Sequence, residues 1–151
     1  MKPLKIYMDV CCYNRPMDDQ SQLRVYIESE TIQGILLKCD AGLWTLVGSE
    51  VLAFEINNNT QDENRQKALS MMKGHSKEIV LITDEIQVRA ESFQKHNIKA
   101  FDSLHLACAE SANVDVLLSV DDKFIKAAKR TDSKVRVINP TDWIKEVFSN
   151  G

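Results

Sequence analysis

Apolar runs of strand length recur along this chain, and a stretch with helical spacing lies between each and the next. The runs are LKIYMDV at 4–10, LWTLVGS at 43–49, VDVLLSV at 114–120 and KVRVI at 134–138. EIVLIT, at 78–83, reads either as a short strand or as an extended lead-in. A hairpin joins strands through a few residues, whereas a crossover of a dozen or more returns the chain parallel to itself. The separations here fit only crossovers. The pattern therefore predicts an α/β domain with a central parallel sheet and right-handed connections. VDVLLSV is close to continuously apolar, as a strand buried on both faces should be.

The intervening stretches are helical. From about 20 to 40, Leu23, Tyr26 and Ile27 share one face. Ile32, Ile35, Leu36 and Cys39 share another, so the helix has a phase slip, and Gly42 ends it. EVLAFEI opens a second helix, NNNTQDEN interrupts it, and RQKALSMMKG resumes it up to Gly74. DEIQVRAESFQKHN follows with Asp84 as its cap, then AFDSLHLACAESAN opened by Asp102, DKFIKAAKR, and NPTDWIKEVF with Pro140 near its start. NRPMDDQSQ, at 14–22, reads as a turn-rich loop. The 151 residues suit one domain, 1–151, with a single core.

Composition narrows the setting. No apolar run approaches the ~18–20 residues needed to span a bilayer, and there is no signal-peptide pattern, so a cytoplasmic location is expected. The four cysteines form no CxxC and read as reduced, mostly buried residues. Net charge is −3, yet residues 121–136 hold six Lys or Arg against three Asp. That segment reads as a solvated helix face or as a rim that attracts phosphates.

Two carboxylates fall where chemistry is expected on such a sheet. Ligands bind beyond the carboxyl ends of parallel strands. Asp9 ends the first strand and Asp121 follows VDVLLSV. If these two strands are neighbours, their ends lie about 5 Å apart, and the acids repel unless a cation lies between them. Asp102 and Glu55 are candidates to join them. Oxygen ligands without a His/Cys cluster suit Mg²⁺ or Mn²⁺ rather than zinc. His105 lies on the apolar face of its helix and reads as a packed core histidine.

Taken in order, IYMDVCCYNRP, GSEVLAFEI, IKAFDSLHLACA and DVLLSVDDKF resemble the acidic segments of the PIN-domain family of metal-dependent ribonucleases. Many members are VapC-like toxins of bacterial toxin–antitoxin pairs. The resemblance implies a three-layer α/β/α fold and a catalytic set of Asp9, Glu55, Asp102 and Asp121. Of these, Asp9, Asp102 and Asp121 hold Mg²⁺ or Mn²⁺. Glu55 is chosen over Glu50 because it falls six residues after Ser49. Ser119 stands as the hydroxyl that supports the fourth acid. Where the family usually carries Ser or Asn, two residues after the first acid, this chain carries Cys11.

The implied activity is hydrolysis of RNA phosphodiester bonds by an endoribonuclease. Arg15, Lys123, Lys126, Lys129 and Arg130 would follow the RNA backbone. A homodimer is expected, and for a toxin an antitoxin protein partner. Two other readings stand beside this one: a non-catalytic module that binds RNA or protein, and another Mg²⁺-dependent phosphohydrolase. The second usually places an acid two residues after its nucleophilic Asp, where this chain has Cys11.

Overall fold

The computed structural model describes residues 2–149. Five strands form one parallel sheet: β1 Leu4–Met8, β2 Trp44–Ser49, β3 Ser76–Val80, β4 Val116–Leu118 and β5 Arg136–Ile138, in the order β3-β2-β1-β4-β5. The helices are α1 Val10–Asn14, α2 Leu23–Asp40, α3 Glu50–Asn57, α4 Asp62–His75, α5 Asp84–Gln94, α6 Ala100–Ser111, α7 Asp122–Ala128 and α8 Pro140–Ser149. Ile6, Tyr7 and Met8 are consecutive and all fully buried, as are Leu117 and Leu118. Successive strand residues point to opposite faces, so helices must cover the sheet on both sides. This is the three-layer α/β/α arrangement that the family resemblance implies, built on the parallel sheet that the spacing of the apolar runs predicts.

Strand order fixes where a site can form. From β1 the chain steps outward to β2 and β3, then crosses back to enter β4 on the other side of β1. The crevice beyond the carboxyl ends of β1 and β4 is the switch point at which open α/β sheets bind ligands.

Several local expectations are corrected. The first strand stops at Met8, and the β-prone residues Val10–Asn14 form α1 because Asp9 caps them, its side chain accepting from Cys12 N at 3.4 Å. The expected loop at 14–22 begins with a 3-10 turn, Arg15–Met17. Helix α4 starts at Asp62, so Asp62 and Glu63 lie in its first turn, where the helix dipole favours acids. Thr83, not Asp84, caps α5 by accepting from Ile86 N at 3.2 Å. Lys99 stands at the N-cap of α6 without a side-chain bond, and Asp102 lies inside the first turn.

The phase slip in α2 does not exist. Its buried stripe is Val25, Glu28, Ser29, Ile32, Ile35, Leu36 and Cys39, one continuous face. Leu23, Tyr26 and Ile27 are exposed instead. Glu28 is buried because Arg15 Nε lies 3.0 Å from Oε1, while Arg24 Nε and Asn139 Nδ2 donate to Oε2 at 3.0 and 2.6 Å. The helix ends as expected at Gly42, whose φ of 82° permits the closing bonds Gly42 N to Cys39 O and Leu43 N to Lys38 O.

Candidate active site

Asp9 follows β1 directly. Its backbone N–H donates to Leu118 O at 3.2 Å, which fixes it against β4. Its carboxylate is 3 % exposed and accepts a bond from Cys11 Sγ on Oδ1 at 2.7 Å. Burial pushes the carboxyl above its ordinary value, although Cys11, Ser119, His105 and the Cys12 amide all pull the other way. Cys11 thus supplies a bond at the position where the resemblance implies Ser or Asn. Its sulfur also lies 3.6 Å from Ser119 Oγ, and Ser119 accepts from Asp121 N at 3.0 Å. Asp121 caps α7 through Oδ1, which accepts from Lys123 N and Phe124 N.

Helices α3 and α6 bring the other two acids. Asp102 and His105 stand one turn apart on α6. His105 is fully buried, and its Nε2 lies 2.7 Å from Glu55 Oε1 on α3. The Phe54 and Phe101 rings, 5.9 Å apart, join the same two helices. Glu50 is occupied elsewhere, since its Oε2 accepts from Ile82 N at 2.7 Å.

The Asp102 carboxyl reports on the whole group. It is pushed up to about 7, first by burial and then by the charge of Asp9, with Asp121 and Glu55 adding to the rise and His105 opposing it. Asp9, Asp121 and Glu55 thus lie close enough to Asp102 for their charges to act on it. The donor set fits a hard divalent ion: carboxylate oxygens that repel one another, with no histidine aimed at them as a zinc ligand. One oxygen of Asp9 and the sulfurs of Cys11 and Cys12 also come within 4.8 Å of one another. Cys12 Sγ, however, is buried and donates to Leu118 O, and burial holds its thiol well above the ordinary value.

His105 is packed in the core, as its helical face implies, and it is also bonded at both ring nitrogens. Nδ1 lies 2.6 Å from the Tyr7 hydroxyl, which lies 2.7 Å from Ser49 Oγ. Helical periodicity reports burial and not partners, so sequence reading missed this connection. The one available signal was the three-residue spacing from Asp102.

The basic residues divide. Arg15 is committed to Glu28 and to Asp18, whose Oδ2 accepts at 3.0 Å. Lys123, Lys126 and Lys129 line a groove of about 1040 Å³ between α2, α7, β5 and α8, and Arg130 is exposed just past α7. Arg24 forks onto both oxygens of Asp122 at 2.9 Å and also reaches Val120 O at 3.3 Å. Asp122 is thereby paired off, and α2 is pinned to the turn that carries Asp121.

A family model described as PIN domain matches residues 22–130. The matched span includes Glu55, Asp102, Ser119 and Asp121; Asp9 lies ahead of it and joins them through the pairing of β1 with β4. No curated protein matches the chain. PIN domains are typically nucleases and generally use a divalent metal. The chain belongs to the PIN-domain family.

Proposed function

We propose that this protein is a Mg²⁺- or Mn²⁺-dependent endoribonuclease of the VapC-like toxin type. The observation that carries the reading is the geometry: Asp9 and Asp121 follow the carboxyl ends of the paired strands β1 and β4, and Asp102 lies where the charges of both act on it. Asp9, Asp102 and Asp121 would hold the ion. When bound, the ion lowers the pKa of a coordinated water and neutralises charge on the scissile phosphate. Glu55, tied through Oε1 to His105, keeps its second oxygen for orienting a water. Ser119 holds the Asp121 backbone in place. Lys123, Lys126, Lys129 and Arg130 offer a basic path for the phosphates of single-stranded RNA.

Asp9→Asn is the informative variant, because Asn caps a helix as well as Asp does and only the charge is lost. A mixed RNA pool should be cut by the wild type with Mn²⁺ and left intact in EDTA. Asp9→Asn should fold, cut nothing, and lose most of the rise in melting temperature that Mn²⁺ gives the wild type. Cleavage in EDTA, or wild-type cleavage by Asp9→Asn, defeats the reading. The toxin assignment further expects an antitoxin encoded in the adjacent reading frame. The exposed Leu23, Tyr26 and Ile27 of α2 support a homodimer, and light scattering that gives one chain's mass at every concentration rejects it.

A further inference from the structure

We propose that Ser49, Tyr7 and His105 form a one-way hydrogen-bond chain that fixes which nitrogen of His105 carries the proton and so aims the Glu55 carboxylate. This rests on the nuclease reading for its consequence, but its geometry stands apart from it. Tyr7 and His105 are positioning residues, acting on the reaction only through Glu55.

The direction follows from the Glu55 end, since Ser49 Oγ, with two lone pairs, takes the Leu52 proton whichever way its own hydroxyl points. Leu52 N–H can only donate, and it gives its proton to Ser49 Oγ at 3.0 Å. The Glu55 carboxylate, at the other end, accepts on Oε1. Between them lie three contacts of 2.7, 2.6 and 2.7 Å: Ser49 Oγ to Tyr7 Oη, Tyr7 Oη to His105 Nδ1, and His105 Nε2 to Glu55 Oε1. One assignment gives each contact one proton with a neutral imidazole. Ser49 donates to Tyr7, Tyr7 donates to Nδ1, and Nε2–H donates to Glu55. The opposite tautomer turns the Nε2 lone pair onto the carboxylate and leaves that 2.7 Å contact without a proton.

Ser49, Tyr7 and His105 are each 0 % exposed, so water cannot replace a missing link. Burial also keeps the Tyr7 phenol protonated, well above its ordinary value. The chain crosses four elements. Ser49 ends β2 and caps α3, Tyr7 belongs to β1, His105 to α6, and Glu55 lies on the helix that Ser49 caps. The Glu55 side chain is 23 % exposed and has its orientation set from the buried side. Partners of this kind behind a metal centre typically contribute 10–100-fold in activity or metal affinity.

The test has two arms on the full chain. Long-range ¹H–¹⁵N correlation on histidine-labelled protein, with His105 assigned by its loss in His105→Gln, should show Nε2 protonated and Nδ1 bare. A protonated Nδ1 overturns the proposal, and this arm needs no cleavage. In the Mn²⁺ cleavage assay, Tyr7→Phe should lower kcat about 10–100-fold with KM unchanged.

His105→Gln, which puts an amide donor where Nε2 was, should keep several-fold more activity than His105→Asn, which reaches only the Nδ1 position. Equal losses in Gln and Asn, or a wild-type kcat in Tyr7→Phe, overturn it. If Tyr7→Phe does not fold, the wild-type tautomer decides. A wild type that cuts no RNA defeats the nuclease reading and leaves the tautomer arm to judge the chain.

Discussion

Without a divalent ion, this protein should lose stability as pH rises from 5 to 8. The Asp102 carboxyl has an ordinary value of 3.8 and sits at about 7 in the fold. Between those values the folded chain keeps a proton that the unfolded chain has released, so stability falls with pH across that window. At about 1.4 kcal/mol per pH unit, the full displacement corresponds to about 4 kcal/mol. Asp102 is only partly buried, so solvent screening and relaxation should reduce the measured effect to roughly 2 kcal/mol.

Asp9 acts in the same direction, its carboxyl also being raised by burial. Ion-paired acids do not interfere here. Arg24 holds Asp122 below its ordinary range, and Arg89 does the same for Glu110 against the cost of burial. Their contributions are lost only as pH falls below about 4–5.

The assay is urea denaturation in EDTA at pH 5 and pH 8, followed by the fluorescence of Trp44 and Trp143, which pack edge to face at 4.9 Å. Asp102→Asn removes the ionisation, so its stability should change less between the two pH values and exceed the wild type's at pH 8. Mn²⁺ at pH 8 should restore the wild type and do little for the variant. A metal-free wild type that gains stability relative to Asp102→Asn between pH 5 and pH 8 refutes the reasoning.

Three other outcomes are expected. Gly48→Ala should cost about 1–3 kcal/mol in urea denaturation, because a Cβ there would come within 2.7–2.9 Å of Met72 Sδ, Ser76 Oγ and Ile79 Cδ1; a neutral result means that α4 and β3 yield easily. Glu28→Ala should cost about 3 kcal/mol, the lower end for breaking a buried ion pair, since Arg15 keeps Asp18 while Asn139 loses its acceptor. Replacing Lys123, Lys126 and Lys129 by Ala should flatten the salt dependence of RNA binding by about two in the log–log slope, and an unchanged slope removes α7 from the RNA path.

What the sequence revealed followed what burial leaves visible. β1, β2 and β4 were legible because their inward residues are all apolar. β3 was ambiguous because it is an edge strand whose Lys77, Glu78 and Ile79 face solvent, which removes the apolar signature. Helix α1 was hidden by β-prone residues, Val10 to Tyr13, that are helical only because the preceding aspartate caps them. In α2 the buried Glu28 and Ser29 broke the apolar count, so one continuous face read as two. A carboxylate enters a core only with partners; Arg24 stands four residues before Glu28 on α2, but Arg15 and Asn139 lie in other parts of the chain, and no local window joins Asn139 to it.

The acids show why a structural role and a chemical role were hard to weigh against each other from sequence. Cap and metal ligand are compatible roles for one aspartate: Asp9 and Asp121 both serve as caps beside Asp102. In both, Oδ1 takes the capping bonds, and a cap needs only one oxygen. Asp102 is not a cap. It lies within a first turn without a capping bond of its own and faces the charges of the other three. Burial first, and then the charge of Asp9, raise its carboxyl to about 7. Capping thus anchors Asp9 and Asp121 to the starts of α1 and α7, while Asp102, raised by burial and then by the charge of Asp9, is a carboxyl that a bound cation should return to its ionised form.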